Sequence, residues 1–197
     1  MLTTTALACT CQKIIAPAMN TNMYLNPIVQ DNMKRLQNYG FEMVEAASGH
    51  LACGDSGIGK LPEEKLLVEH IVRSIAREKD MKGMKVLVSA GATMEAIDPV
   101  RYITNHSTGK MGFALAKAAM LRGASVTVVK GHTEAEEPHF VKMVPVKSAQ
   151  QMFEAVKEEA VDADIVIMAA AVADYRPSEV YDQKVKKSDG EMSIALT

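Results

Sequence analysis

The sequence predicts an α/β fold built on a mostly parallel sheet with helices on both faces. Short apolar runs rich in Val and Ile alternate with amphipathic stretches, as in KVLVSAG (85–91), SVTVVKG (125–131) and DIVIMAAAV (164–172). No tight-turn dipeptide joins two of these runs into a hairpin, so crossovers are expected between strands. The 197 residues are 48% hydrophobic and 23% charged, enough apolar material to bury a core.

In chain order, KIIAPAM (13–19) reads as a short buried strand ended by Pro17. NPIVQDNMKRLQNYG (26–40) reads as a helix with Pro27 in its first turn, Val29, Met33 and Leu36 on one face, and Gly40 as its stop. FEMVEA (41–46) alternates as a strand does. The glycine-rich SGHLACGDSGIGKL (48–61) has no periodicity and reads as a loop. Pro62 opens a helix with Glu63 and Glu64 in its first turn, where carboxylates suit the dipole, and with Leu67, Ile71 and Ile75 turned inward.

The charged stretch REKDMKG (77–83) suggests a boundary, with one domain at 1–78, a linker at 79–83 and a second domain at 84–197. After it, strand 85–91 leads through a long loop to a helix at 110–122. Met111, Leu115 and Ala118 fall near one face of that helix, and Gly123 ends it. Strand 125–131 follows, then the apolar FVKMVPV (140–146). Ser148 and Gln151 form a capping box for a helix that carries Met152, Phe153 and Val156. Strand 164–169 comes last.

Composition excludes several classes. A net charge of −2 gives no whole-protein attraction to nucleic acid or membranes. No apolar run approaches the roughly 20 residues that span a bilayer. Cys9, Cys11 and Cys53 form neither a disulfide framework nor a zinc spacing, and a reducing cytoplasm is the expected home. The start of the chain lacks the basic region of a signal peptide. His50, His70, His132 and His139 have no partners in sequence and are expected at the surface.

In open α/β sheets ligands bind beyond the carboxyl ends of the strands. Three stretches occupy such ends: SAGATMEAIDPVRYITNHSTG, KGHT and AAAVADYRPSEVYDQKVKK. The TGK of the first is similar to a P-loop ending, but Thr104 stands where GxxxxGK[ST] needs Gly, and Met111 where it needs Ser or Thr. GxGxxG is absent as well. Asn105, Ser107, Thr108 and Gly109 nevertheless precede a helix, where backbone N–H groups and the dipole suit an anion. Ser107 or Thr108 acting only as a helix cap is the competing reading, and the sequence leaves both open. In the third stretch, Ala169 to Ala171 let a ligand lie against backbone. Asp174 then leads into Arg176, Lys184, Lys186 and Lys187, a pattern that suits a nucleotide, although KVKK alone also fits a solvated edge.

GATMEAIDPVRYITNHSTGKMG, AAAVADY and KVKK, in that order, resemble the phosphopantothenate–cysteine ligase half of the bifunctional coenzyme A biosynthesis flavoproteins. PAMNTNMY (17–24) and ACGDSGIGKL (52–61) resemble the Asn-bearing and Cys-bearing motifs of the family's phosphopantothenoylcysteine decarboxylase half. The resemblance implies the C-terminal part of a flavodoxin-like decarboxylase domain followed by a Rossmann-like ligase domain. In the ligase, CTP activates 4′-phosphopantothenate as an acyl-cytidylate, and cysteine displaces CMP. Asp174 and Lys184 are then expected to contact CTP, with Met168, Ala169 and Ala170 along its base and ribose. Asn105 is expected at the acyl-cytidylate, with Arg101, Ser107 and Gly109 as substrate contacts. Mg²⁺ is expected as the partner of the triphosphate rather than on a protein-built metal site.

For the decarboxylase half, which uses FMN on 4′-phosphopantothenoylcysteine, the resemblance implies Cys53 as proton donor and Asn20 as a contact to the substrate carboxylate. His106 reads as a hydrogen-bonding loop residue rather than a base, and Cys9 and Cys11 as packing residues. The family's decarboxylase has a flavin-binding segment before PAMN, and its ligase continues past KVKK, so the chain is expected to be a fragment lacking most of the FMN pocket. The intact family protein is expected to be a homo-oligomer acting on small molecules. Two other classes remain: a non-catalytic assembly or regulatory relative, and an NAD(P)-dependent oxidoreductase. The missing GxGxxG, and Lys130 where an acidic ribose ligand would stand, count against the second.

Overall fold

A run of side chains buried on both faces, Val86 to Ala90, sits at the centre of the second half of the chain. The computed structural model describes residues 2–52, 54–186 and 193–197. The chain divides into two units, Met1–Arg77 and Glu78–Thr197.

The first unit contains α1 (Leu2–Ala8), β1 (Ile14–Ile15), α2 (Thr21–Tyr24), α3 (Pro27–Asn38), β2 (Glu42–Met43), β3 (Ala47–His50), β4 (Ser56–Lys60) and α4 (Glu64–Ile75). The sequence reading left α1 unassigned, and it buries no residue. β1 and β2 pair in parallel, Ile14 opposite Glu42, with α3 as the crossover between them. β1 is half-buried rather than buried. Pro27 stands in the first turn of α3, and Val29, Met33 and Leu36 are the apolar side chains it partly buries, together with Gln30.

Further expectations fail in this unit, beginning with Cys9 and Cys11, expected as packing residues but exposed. The glycine-rich stretch 48–61 is not a loop but an antiparallel hairpin, β3 with β4, Gly49 opposite Gly57. Its pairing is carried by backbone rather than by side-chain alternation, so no period-2 signal marked it. Ile71 and Ile75 of α4 are exposed, 47% and 74%. The buried member of that helix is His70, which the sequence placed at the surface. Its Nδ1 lies 2.5 Å from Glu42 Oε1, so a polar partner from β2 lets the ring occupy an interior position.

The second unit contains β5 (Lys85–Ala90), β6 (Met94–Ala96), β7 (Tyr102–Thr104), α5 (Lys110–Leu121), β8 (Ser125–Lys130), β9 (Lys142–Pro145), α6 (Ala149–Ala160) and β10 (Ile165–Met168). A four-stranded sheet runs β10-β5-β8-β9, every neighbour parallel, which is the predicted arrangement. The alternation of β5 and β8 assigns each face to one helix. Val86, Val88, Ala90, Val126 and Val128 pack with Phe113, Ala116 and Met120 of α5. On the other face Leu87 and Val129 pack with Met152 of α6.

The apolar stripe expected on α5 is reversed. Met111 is 73% exposed, Leu115 and Ala118 are also exposed, and the helix instead buries Gly112, Phe113, Ala116, Ala119 and Met120. Close approach to β5 at Gly112 fixes the rotation: a Cβ there would lie 2.5 Å from Ala90 Cβ, and with Gly112 against the strand Phe113 and Met120 fall on the buried side. Phe153 of α6 is exposed as well, while its capping box is present as predicted. Residues 79–83, expected as a linker, are packed into this unit. Met81 joins the core and Asp80 pairs with Arg122 at 2.5 Å. A second hairpin, β6 with β7, stands inside the long stretch read as loop. No helix of the described residues is long and apolar enough to cross a membrane.

Candidate functional site

The strand order reverses between β5 and its two neighbours: β8 follows on one side and β10, last in sequence, lies on the other. Loops leaving the carboxyl ends of β5 and β10 therefore start side by side at this reversal, the place where open α/β sheets bind ligands. Small polar side chains hold those loops together. Ser89, 1% exposed, accepts at its hydroxyl from the N–H groups of Ala169 (3.1 Å) and Ala170 (3.2 Å). Thr93, fully buried, accepts from Ala173 N–H at 2.9 Å, and its own carbonyl accepts from Thr104 Oγ1 at 2.7 Å. Ala171 N–H donates to Gly91 O at 2.7 Å. The alanine run is thus held by its backbone; its three alanines are half-buried, and Ala170 packs against the Leu87, Val129 and Met152 cluster.

Asn105 lies in the loop before α5. Its side-chain Nδ2 donates to Val172 O at 3.0 Å and joins the first loop to the third. Gly109 is the residue before α5, with φ +72°, and no side chain caps the helix. The Ser107 hydroxyl accepts from Gly109 N–H at 3.3 Å and reaches no helical N–H. The capping alternative for Ser107 and Thr108 is thereby corrected. A Cβ on Gly109 would stand 2.5 Å from Thr133 Oγ1, and that hydroxyl donates to Thr108 O at 2.7 Å. The second loop therefore braces the start of α5.

Met168 is 64% exposed, and its sulfur accepts a long contact of 3.8 Å from Ser89 Oγ. Asp174 is exposed and borders an open cavity of about 370 Å³ together with Glu95, Gln150, Phe153, Tyr175 and Arg176. Glu95, 5% exposed, accepts from Ala149 N–H at 2.8 Å and so occupies the first turn of α6 with its own carboxylate. Lys184 is exposed. Arg101 donates through Nε (2.9 Å) and Nη2 (2.5 Å) to Asp98 Oδ2, and through Nη2 to Val185 O at 2.9 Å. That guanidinium holds the Asp98 carboxyl well below the usual carboxylate range, helped by the N–H groups of Val100, Arg101 and Val185. Lys187 lies outside the described residues.

In the first unit, Asn20 caps α2, its Oδ1 accepting from Asn22 N–H at 2.8 Å. Its Nδ2 reaches Asp55 Oδ2 at 3.3 Å, and Met19 N–H donates to Gly59 O at 2.9 Å. The two motifs of this unit, 35 residues apart, are thus brought together. Cys53 lies outside the described residues. Among the described residues no group of three or more His, Cys, Asp or Glu side chains is placed to hold a metal ion.

Sequence reasoning missed Ser89, Thr93, Asp98 and Thr133, which touch no expected ligand but set the loops. A faint signal was present: a Ser closing an apolar strand, and the dipeptide Asp98–Pro99, which favours an Asx turn.

Residues 1–76 match the flavoprotein family. The chain is 46% identical over 196 residues to the coenzyme A biosynthesis bifunctional protein CoaBC of Haemophilus influenzae, covering 100% of this chain and 49% of that protein. It is also 46% identical over 199 residues to the protein of the same name from Bacillus subtilis, with the same two coverages. The chain spans about half the length of the curated relatives it matches. Among solved structures, the DNA/pantothenate metabolism flavoprotein from Streptococcus pneumoniae is similar at 27% identity and a TM-score of 0.52, over 58% of this chain and 60% of that one. Residues 81–197, the whole parallel sheet with its crevice loops, match the DNA/pantothenate metabolism flavoprotein C-terminal domain, and the chain belongs to that family.

Proposed function

We propose that the second unit carries the nucleotide-binding part of a CTP-dependent ligase that joins 4′-phosphopantothenate to cysteine in coenzyme A biosynthesis. The observation that carries this reading is the Asn105–Val172 bond, which sets an uncapped helix N-terminus beside a backbone-lined alanine run at the strand-order reversal. The name of these relatives, a coenzyme A biosynthesis bifunctional protein, points to the same pathway.

In this reading the carboxylate of 4′-phosphopantothenate attacks the α-phosphorus of CTP, forming the acyl-cytidylate and releasing pyrophosphate. The amine of cysteine then attacks the acyl carbon, and CMP leaves with the electron pair of the broken C–O bond. Uncapped N–H groups at the start of α5 suit the phosphate oxygens, and the Asn105 amide is the donor for charge developing beside them. Asp174 suits the ribose hydroxyls, and Lys184 the triphosphate. Ala169 and Ala170 provide a flat wall for the nucleoside, with Met168 at its edge. Mg²⁺ supplies charge neutralisation as a partner of the triphosphate, and no protein-built metal site is assigned to it.

The first unit belongs to the decarboxylase side of the same reading, with Asn20 oriented by Asp55 as the contact to the substrate carboxylate and Cys53 as the proton donor. FMN is the cofactor this reading gives the decarboxylase side, in keeping with the flavoprotein family match of residues 1–76. Gly57 and Gly59 let the β3–β4 hairpin close on the 17–24 turn, since a Cβ there would stand 2.4 Å from Thr21 Oγ1 or 2.1 Å from Met19 O. No step is drawn through the flavin.

The test is pyrophosphate release with CTP, 4′-phosphopantothenate, cysteine and Mg²⁺, set beside binding of CTP, ATP, NADP and FMN by thermal shift. Stabilisation by CTP alone is the expected pattern. Stabilisation by NADP, or by none of the four, overturns the reading in favour of an oxidoreductase or a non-catalytic relative.

A further inference from the structure

We infer that Asp98 and Arg101 are positioning residues that clasp the segment carrying Lys184 and Lys186, holding these cations in place for an anionic ligand. This inference rests on the nucleotide reading above for the identity of that ligand, a nucleoside triphosphate.

Asp98 ends the β6 side of the hairpin, and its side chain is fully enclosed. Its two oxygens do separate work. Oδ1 accepts from the N–H groups of Val100 and Arg101, both at 2.8 Å, and closes the turn. Oδ2 accepts from Arg101 Nε and Nη2, and from Val185 N–H at 3.2 Å. Arg101 Nη2 also donates to Val185 O. Both backbone groups of Val185 are thus tied to one ion pair more than 80 residues away in sequence. A further bond, Tyr181 N–H to Ile97 O at 2.9 Å, anchors the same segment upstream.

A turn alone needs only Oδ1. The bonds from Oδ2 and Nη2 to Val185 add nothing to the hairpin, and their consequence is the placement of the basic segment. Val185 is half-buried while Lys184 and Lys186 on either side of it are exposed. Charge supports the division: Asp98 is paired with Arg101, so its carboxylate does not also engage the flanking lysines. Fixing the segment beforehand removes part of the ordering entropy that ligand binding would otherwise oppose.

The experiment compares the wild-type chain with Asp98→Asn in two measurements. Without ligand, limited trypsin digestion reads cleavage after Lys184 and Lys186 against cleavage after Lys157 in α6. Asp98→Asn is expected to speed the first two by about tenfold and to leave the third unchanged. With Mg²⁺ present, calorimetry reads CTP affinity. It is expected to fall about tenfold in Asp98→Asn, with no further loss when Lys184→Ala is combined with it. Arg101→Lys, which keeps the charge but not the planar fork, is expected to fall between wild type and Asp98→Asn in both measurements. Should Asp98→Asn unfold and expose Lys157 too, Val185→Pro removes the donated N–H with the ion pair intact; faster cleavage after Lys186 and the same affinity loss are expected, the bond after Lys184 then preceding a proline and resisting trypsin. Unchanged trypsin rates, or affinity losses that simply add, overturn the clasp. A faster cleavage in the variant, with no CTP binding by the wild type, overturns the nucleotide reading and leaves the tether standing.

Discussion

The Asn105 amide and the Val172 carbonyl meet at 3.0 Å across 67 residues of sequence, and this bond links the loop before α5 to the loop after β10. Asn105 is exposed, so the bond contributes only about 1 kcal/mol to folding. Its value lies in placing the amide. Asn105→Ala is expected to lower CTP-dependent pyrophosphate release by about a hundredfold, while the thermal midpoint stays within a few degrees. Parallel loss of both quantities would show a structural role only.

Ser89 is the hinge of the alanine run. Ser89→Ala leaves the N–H of Ala170 without its acceptor beneath the sheet end, and is expected to destabilise the second unit by about 1–3 kcal/mol. Urea titration followed by far-UV circular dichroism measures it. Because the run also loosens, CTP affinity should fall with it.

Gly112 sets the distance between α5 and β5. Alanine there would gain helix propensity of about 1 kcal/mol, yet its Cβ would stand 2.5 Å from Ala90 Cβ and 3.1 Å from Ser89 O. Neither neighbour can yield, since both belong to the central strand. Gly112→Ala is therefore expected to lose about 1–2 kcal/mol net, read from the denaturation midpoint. A gain in stability would mean that the helix can retreat from the sheet.

Two carboxylates make the second unit sensitive to acid. Asp98 titrates well below the usual carboxylate range because of Arg101 and three backbone N–H groups, and Asp80 is lowered by its bond to Arg122. A lowered folded-state value means that the contribution is fully present above about pH 4, the ordinary carboxylate value, and drains away as pH falls below it. Urea midpoints measured from pH 6 down to pH 2 should decline below pH 4 in the wild type and decline less in Asp98→Asn. Equal slopes would count against the assignment.

In the first unit, Gly59 has φ +128° and a Cβ there would meet Met19 O at 2.1 Å. Gly59→Ala is expected to cost about 1–3 kcal/mol and to separate the 17–24 turn from the β3–β4 hairpin. Hydrogen exchange at the Met19 amide, which is bonded to Gly59 O, should then speed up.

Much of the second unit was legible from the chain alone. Val-rich runs spaced by helical stretches specify a parallel sheet, since such strands bury both faces and need crossovers. The Ser148–Gln151 box and Gly123 marked helix ends by local chemistry, and the crevice loops followed from strand ends. The hairpins were illegible because glycine-rich pairing carries no side-chain period. The inward face of α5 was illegible for another reason: apolar residues lie on both sides of the helix, and the close approach of Gly112 to β5 decides that Phe113 and Met120 rather than Met111 and Leu115 turn inward. His70 shows the same limit, since its partner Glu42 is 28 residues away.

Local chemistry and periodicity thus determined the strands of the parallel sheet, the main helices between them and the three loops at the strand ends. Tertiary structure alone decided which atoms those loops share. Ser89 with Ala170, Asp98 with Val185 and Asn105 with Val172 are contacts over 67 to 87 residues. Hydrogen bonds at such separations depend on where the sheet order brings strand ends together, and no local pattern encodes that position.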